Sequence, residues 1–434
     1  LTSLWAPLQH RNFRLLWAGF VVSHVGDFIQ ILAQSWLVVG LTRSATRVAA
    51  VALAQALPRL AIGLFAGVVV DRVDRRRLLL VTQTLAAAQS ALFLGLVLAG
   101  RITYAWVLGL SLALGVFDAL NLTARQAMLP GLVPREMIPR AVALQALGVN
   151  VTQIAGPSLG GVLLGSLGVQ GCLAVNVLSF GALIGAVAAL RLPPSETNTA
   201  PGGVGEALRE GFAFIRARPA LWASMALLYA LGVLGMPVVR LLPLWARVVL
   251  DTTGRGYGLL ACASGLGALA ASVAVTSRAH PARLPRNVVA AGAAFAVGVA
   301  LFSRTGSYAA SFAALALVGG AQMAFRSAAV TIVQLEVPDR LRGRVLSVMA
   351  MDFALWSVGA VGVGLAVDAF ARGHAQLGPD VPRSLLPPSS IAAGLRAVFL
   401  GAGVACAAAL AVWARPLLAA RRGHGDGATG EVSR

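Results

Sequence analysis

Lysine is absent from this 434-residue chain, whose 35 basic residues are all arginine. That imbalance reflects coding bias, but the shortage of charge as a whole has a physical meaning. Charged residues make up 12% of the chain and hydrophobic ones 58%, and a soluble protein of this length needs far more charge to cover its surface. Cysteine is nearly absent as well. Cys172, Cys262 and Cys406 lie in apolar surroundings without a CxxC spacing, which argues against a disulfide scaffold. The five histidines, His10, His24, His280, His374 and His424, are scattered and form no zinc-binding interval. No GxxxxGK phosphate loop occurs either. The chain is therefore expected to hold no metal and no cofactor. With no nucleophile or metal cluster at one depth, it is not expected to be an enzyme.

What the chain has instead is long apolar runs. Stretches such as 48–70, 78–99 and 171–190 are each close to the roughly 20 residues that cross a bilayer. Reading such runs against turn and charge signals places twelve spanning helices, at about residues 15–41, 47–70, 77–99, 103–129, 140–165, 170–190, 220–248, 256–277, 286–303, 307–334, 343–370 and 391–414. The first run lacks a cleavable-signal pattern and is expected to be retained.

Placement of the arginines sets the orientation. A formal net charge of +19 would suit a nucleic acid, but the arginines cluster in short segments between apolar runs, as membrane topology requires and a continuous nucleic-acid groove would not. The expected partner is thus the lipid bilayer and not nucleic acid. The amino terminus, the even-to-odd loops and the tail carry 22 arginines, among them Arg72, Arg75, Arg76, Arg77, Arg209, Arg216, Arg283, Arg286, Arg342 and Arg344; the opposite side carries nine. The richer side should be cytoplasmic, with both termini inside a bacterial cytoplasmic (inner) membrane. The Pro- and Gly-bearing stretch at 191–219 reads as a cytoplasmic linker, ending in a surface helix with Phe212, Phe214 and Ile215 at the membrane face. It separates an amino-terminal six-helix bundle, 1–190, from a carboxyl-terminal one, 220–414, followed by a cytoplasmic tail, 415–434. The outer stretch 372–390 has two readings, a lid or a variable loop.

An internal repeat supports the division. LVPREMIPRAVAL at 132–144 has a counterpart in EVPDRLRGRVLSV at 336–348, with Val-Pro recurring and Arg140 matching Arg344. Duplication over six spans implies two pseudo-symmetric bundles, and such folds place their substrate near mid-membrane.

Two motifs give the pattern a family. The string GVVVDRVDRR from Gly67 resembles the signature between the second and third helices of the major facilitator superfamily, with Asp74 standing where that family has glycine. IAGPSLGG at 154–161, holding Gly156, Pro157, Gly160 and Gly161, resembles the core of the antiporter motif, although the usual upstream glycines are mostly missing. FRLLWAGFVVSHVGD, TARQAMLPGLVPRE and VPDRLRGRVLSV look like the subgroup of enterobactin exporters and macrolide efflux proteins. The resemblance covers about residues 11–414. It implies an all-α membrane protein of the major facilitator fold, alternating access and, commonly, antiport against protons. Asp71, just past the second span, can accept hydrogen bonds in a cytoplasmic gate with Arg72 and Arg76.

Polar residues inside spans are costly and so mark a cavity or a pair. Asp27, Gln30 and Gln34 share a face of the first helix; Gln55 and Arg59 share one of the second; Asp118, Asn121 and Arg125 recur at helical spacing in the fourth. Asp27 has three roles open to it: proton exchange, structural acceptor, or substrate contact. Asp118 and Arg59 join it as proton-coupling candidates, with an Asp27 to Arg59 contact linking proton binding to helix movement. Arg125, near the cytoplasmic end, can gate, snorkel or bind substrate. Asn150, Arg240, Gln322, Arg326, Asp352 and Trp356 complete the cavity candidates, with Arg326 and Asp352 placed to pair and Asp368 near the outer end as a gate or cap. Met323, Phe325, Met349, Met351, Phe353 and Trp356 can build an apolar wall for a lipophilic or aromatic substrate, or simply pack.

These features favour a secondary active exporter of an amphipathic or lipophilic small molecule, driven by proton antiport and complete as a monomer. Siderophore or lysolipid export, uptake, and a non-transporting membrane sensor are the alternatives.

Overall fold

The structure, a computed structural model, describes residues 5–191, 204–278, 284–338, 351–376 and 386–419, with 341, 345, 348 and 349. The side chains of 64–72, 204–208, 273, 275–278, 334 and 353 lie outside the described residues. The chain forms two compact units, one of Leu1–Arg43, Ala50–Pro201 and Thr252–Cys262, the other of Ser44–Ala49, Gly202–Asp251 and Ala263–Arg434.

The first unit is built from α1 (Arg11–Thr42), most of α2 (Ala45–Arg72), α3 (Arg75–Leu98), α4 (Tyr104–Met128) and α5 (Ile138–Ala188). Their ends carry local signals. Arg43, at a left-handed φ of 48°, ends α1. Asp74 caps α3 by accepting from the Arg77 N–H at 2.7 Å, a local reason for an acid where the related signature has glycine. Helix α5 is 51 residues long and turns back at Gly168, whose φ of 67° and ψ of −169° would strain any side chain. The spans expected at 140–165 and 170–190 are its two arms.

Both arms pack along α1, because small residues bring the backbones together. A Cβ at Gly156 would run into Phe28, one at Gly26 into Ser179 and Asn176, and one at Gly19 into Ala186. Phe13, Leu16, Phe20, Leu79, Met128 and Leu144 are buried in the core that joins these helices. Gly156→Val is expected to cost about 1–3 kcal/mol by overpacking, read as a lower unfolding temperature of the purified chain in detergent. Gly181→Val, at a glycine that faces open space, should leave that temperature where it is.

The arginines that mark the loops also finish helices. Arg75 donates to Ala127 O at 2.8 Å, Arg76 to Val187 O at 3.1 Å and Ala188 O at 2.5 Å, and Arg11 to Ala189 O at 3.1 Å. Carbonyls in a last helical turn lack partners within the helix, and the dipole is negative there, so a guanidinium satisfies both.

The second unit comprises α6 (Val204–Arg216), α7 (Pro219–Gly235), α8 (Pro237–Arg240), α9 (Leu242–Val248), most of α10 (Gly254–Arg278), α11 (Leu284–Arg304), α12 (Tyr308–Glu336), α13 (Asp352–His374) and α14 (Pro388–Ala419). The span expected as continuous over 220–248 is three helices. Pro237 and Pro243 supply no N–H to the preceding turn, and each stands at the start of a new one. Ile215, expected at the membrane face, is instead buried at 1% exposure. Trp245, Phe302 and Phe399 are fully buried, with the Trp245 ring centroid 4.5 Å from Phe302 and 5.7 Å from Phe399.

Among the described residues, ten helical stretches are long and apolar enough to cross a membrane. One of these is α5, whose two arms are separate passes, and α10 is of spanning length, so the fold is the all-α, twelve-helix one expected. Large apolar side chains such as Leu178, Val404 and Val412 stand exposed on the outside of these helices, as they must where the solvent is hydrocarbon.

Candidate functional site

Three helices of the first unit, α1, α2 and α4, bring the charged residues of its spans into one cluster. Asp27 on α1 lies 3.4 Å from His24 Nδ1, one helical turn earlier, with their side chains 26% and 28% exposed. The imidazole is held by rings on both sides, stacked on Phe20 with centroids 5.0 Å apart and edge-on to Phe28 at 5.1 Å. Asp118 on α4 accepts from Gln55 Nε2 of α2 at 3.2 Å. Gln55 gets there because α4 has glycine opposite: a Cβ at Gly115 would strike the Gln55 carbonyl. Arg59, Asp27 and His24 all lie within electrostatic reach of Asp118, and Arg59 and Asp27 also reach Arg125. Arg125 turns inward, its guanidinium carbon 3.6 Å from the Phe20 ring centroid and its Nη1 buried. Two carboxylates thus face two guanidiniums, and the cluster is neutral when the imidazole is neutral. Any added cation, a proton included, leaves it with net positive charge.

Other expected cavity residues are engaged in packing. Gln30, 1% exposed, accepts from Ser90 Oγ at 2.6 Å and Asn176 Nδ2 at 2.8 Å, tying α1 to α3 and to the second arm of α5. Gln34, also buried, donates to Ser111 Oγ at 2.7 Å. Asn121 pairs with Thr82 of α3. Asn150 is exposed on α5. Gly156 and Gly160 lie against α1, while a Cβ at Gly161 would strike the backbone of Gly258 at the start of α10. Pro157 sits within the same arm. Of the expected gate, Arg76 caps α5 as described, whereas the side chains of Asp71 and Arg72 lie outside the described residues.

In the second unit, Arg326 of α12 forms a charge-assisted hydrogen bond with Asp352 of α13, as their depths suggested. Asp352 is 1% exposed and the Arg326 side chain 42%. The guanidinium carbon also sits 5.3 Å from the Trp356 ring centroid. Beside this pair, α7, α11, α12 and α13 form a small pocket whose lining includes Gln322 and Arg326. Phe325 and Trp356 belong to the expected apolar wall; Leu228, Leu231, Gly232, Met236 and Phe295 complete the lining. Arg240 is half-buried at the end of α8.

Asp368 of α13 is a cap. Fully buried, it accepts from Ser44 Oγ at 2.6 Å, Ala45 N at 3.0 Å, Thr46 N at 3.2 Å and Thr46 Oγ1 at 2.7 Å, the first turn of α2. That turn belongs to the second unit, and its backbone comes so near α13 that a Cβ at Gly364 would strike Ala45.

Sequence reasoning passed over His24, which it counted only as one of the scattered histidines. Its signal was Phe20, His24 and Phe28 at intervals of four with Asp27 one turn on, an aromatic bracket around a titratable pair.

Comparison with known proteins agrees with this architecture. The multidrug efflux pump Tap of Mycolicibacterium fortuitum is 29% identical over 408 residues, covering 91% of this chain and 95% of that protein. The enterobactin exporter EntS of Salmonella choleraesuis (strain SC-B67) is 31% identical over 287 residues, 64% of this chain and 66% of that one. A bacterial homolog of the human lysosomal transporter Spinster, crystallised in an inward-facing and occupied conformation, aligns with a TM-score of 0.72 over 96% of this chain and 97% of that one; at 15% identity the likeness is one of fold. Residues 2–375 match the family described as transmembrane secretion effector, and the chain belongs to that family of major facilitator transporters.

Proposed function

We propose that the chain is a secondary active exporter of amphipathic or lipophilic organic compounds, working by alternating access and proton antiport in the bacterial cytoplasmic membrane, with both termini inside. Export is supported by the relatives named as efflux pump and siderophore exporter. The observation that carries the coupling is the charge-balanced, partly exposed cluster of Asp27, His24, Asp118, Arg59 and Arg125. A proton taken up there leaves an unbalanced positive charge in a low-dielectric setting, and a substrate bearing a cation or hydrogen-bond donors competes for the same carboxylates. Mutual exclusion of the two ligands is the requirement for antiport. One chain contains every group this needs, so a monomer suffices.

The test is proton movement in inside-out vesicles containing the protein, with an imposed pH gradient, a pH-sensitive dye and a panel of lipophilic cations, macrolides and catechol siderophores. A compound that dissipates the gradient only when the protein is present identifies antiport and substrate class together. Passage of labelled compound with an intact gradient would sink the coupling. Lipid-type export is the second reading, favoured by an open apolar groove between α1 and the second arm of α5, lined by Leu15, Gly19, Val22 and Ala186; labelled lysolipid crossing without proton movement would select it.

A further inference from the structure

The open groove of the first unit runs into a group of arginines. Leu15, Ala18 and Val22 of α1 and Ala182, Gly185 and Ala186 of the second arm of α5 border a space of about 310 Å³, room for part of one acyl chain. Gly19 is its floor, where a Cβ would strike Ala186, so the two backbones nearly touch. The α5 bank is low, because Gly181 and Gly185, one turn apart, have open space where a side chain would stand. In a bilayer such a groove is filled by lipid or by another helix.

Charge at one end decides between them. Arg11 and Arg14 lie one turn before Leu15 and Ala18 on the same face of α1, Arg191 follows the last turn of α5, and all three are exposed. The two helix ends are tied together there: Asn12 donates to Arg191 O at 2.8 Å and accepts from the Arg191 N–H at 3.3 Å, and Arg11 donates to Ala189 O at 3.1 Å. Arg14 donates to Leu8 O at 3.4 Å. A guanidinium has five N–H donors, so these bonds leave most of each free to grip a phosphate. The carbonyls of Val187, Ala188 and Ala189, which would repel an anion at this helix end, already accept from Arg76 and Arg11. No acid occurs in residues 1–26 or 137–195, and Asp74, at the start of α3, is engaged in capping. Trp5, 52% exposed just before α1, suits the headgroup zone that tryptophan favours.

A zwitterionic headgroup would bring an ammonium to three guanidiniums with no carboxylate to receive it. A second copy related by a two-fold axis along the membrane normal would set these three arginines against the same three of its partner. An anionic lipid meets neither repulsion. We propose that the groove holds an anionic glycerophospholipid, one acyl chain lying along Ala18 and Gly185 and the phosphate on Arg11, Arg14 and Arg191. The binding needs only that the chain spans a bilayer, and it holds whether or not the chain exports anything.

Native mass spectrometry of the full chain in detergent, with phosphatidylglycerol or phosphatidylcholine added, gives the affinity of each lipid, and phosphatidylglycerol carrying a diazirine in one acyl chain marks where it sits. The first phosphatidylglycerol is expected to bind about tenfold or more tighter than phosphatidylcholine, with light-induced cross-links in peptides spanning 15–22 and 182–186. Arg14→Gln combined with Arg191→Gln should remove that preference, about fivefold for each arginine, without changing phosphatidylcholine binding. Gly185→Leu, which puts a side chain into the open groove, should lower cross-linking about tenfold. Equal affinity for the two lipids overturns the proposal, as does a preference that survives the double arginine variant. Cross-links elsewhere, or undiminished by Gly185→Leu, overturn it too. A dimer in lipid-free detergent that Gly185→Leu abolishes would give the groove to a second copy instead. If neither variant folds, the lipid preference and the cross-link positions of the wild-type chain decide.

Discussion

Asp27→Asn is expected to lower compound-driven proton movement by about 100-fold while leaving exchange of labelled compound, measured without a gradient, within about threefold of wild type. The reasoning follows from the cluster around Asp118. An amide keeps the shape of the carboxylate and can still contact His24, but it cannot give up or take a proton. Removal of one negative charge also leaves Asp118 alone against Arg59 and Arg125, so the site holds net positive charge before any proton arrives. A cationic compound should then bind more weakly and an uncharged one about as well. The measurement pairs gradient dissipation in inside-out vesicles with counterflow in liposomes on the same preparation. Loss of both together would mean that Asp27 serves packing or substrate contact and not coupling, and retention of both would remove it from the mechanism.

Asp368→Ala is expected to destabilise the chain by about 3–5 kcal/mol, the largest effect of any substitution discussed that leaves the apolar core untouched. The carboxylate receives four hydrogen bonds and is fully buried. Its loss strands two backbone N–H groups at the start of α2, where no carbonyl of the same helix can serve them, and two hydroxyls that would have to turn elsewhere. Asp368→Asn should be nearly as harmful, because the amide presents one oxygen and an NH₂ to a set of donors. Ser44→Ala, which removes one of the four, should cost about 1 kcal/mol. Thermal unfolding of the three purified variants in detergent, followed by intrinsic fluorescence, gives the order. An Asp368→Ala chain that unfolds with the wild type would show that the cap is replaceable.

Legibility in the sequence varied with the kind of statement. Lengths of the apolar runs and the positions of the arginines were readable, and so was the pairing of Arg326 with Asp352, because a buried charge at a given depth admits few partners. Gln30 and Gln34 show the limit. They recur with Asp27 at helical spacing, yet Asp27 is partly exposed beside His24 while both amides are buried in bonds to α3, α4 and α5. His24 was legible in principle, since its aromatic neighbours lie one turn to each side. A lone histidine on an apolar helix simply carries little signal until its neighbours are in place. Arg76 was read through loop charge and as part of a cytoplasmic gate, and only the folded chain shows it donating to the carbonyl end of α5.

The sequence alone determined that this is a polytopic helical membrane protein and where along the chain its apolar spans fall, although the stretch read as one span at 220–248 is three helices. Each of those follows from transfer of a segment between water and hydrocarbon, which a segment settles largely without its neighbours. The tertiary structure decided which polar side chains meet. That depends on the rotation of every helix about its own axis, set by close contacts such as Gly156 on Phe28, Gly115 on Gln55 and Gly232 on Trp356, and a contact between residues far apart in the chain is a property of the packing and of no single segment.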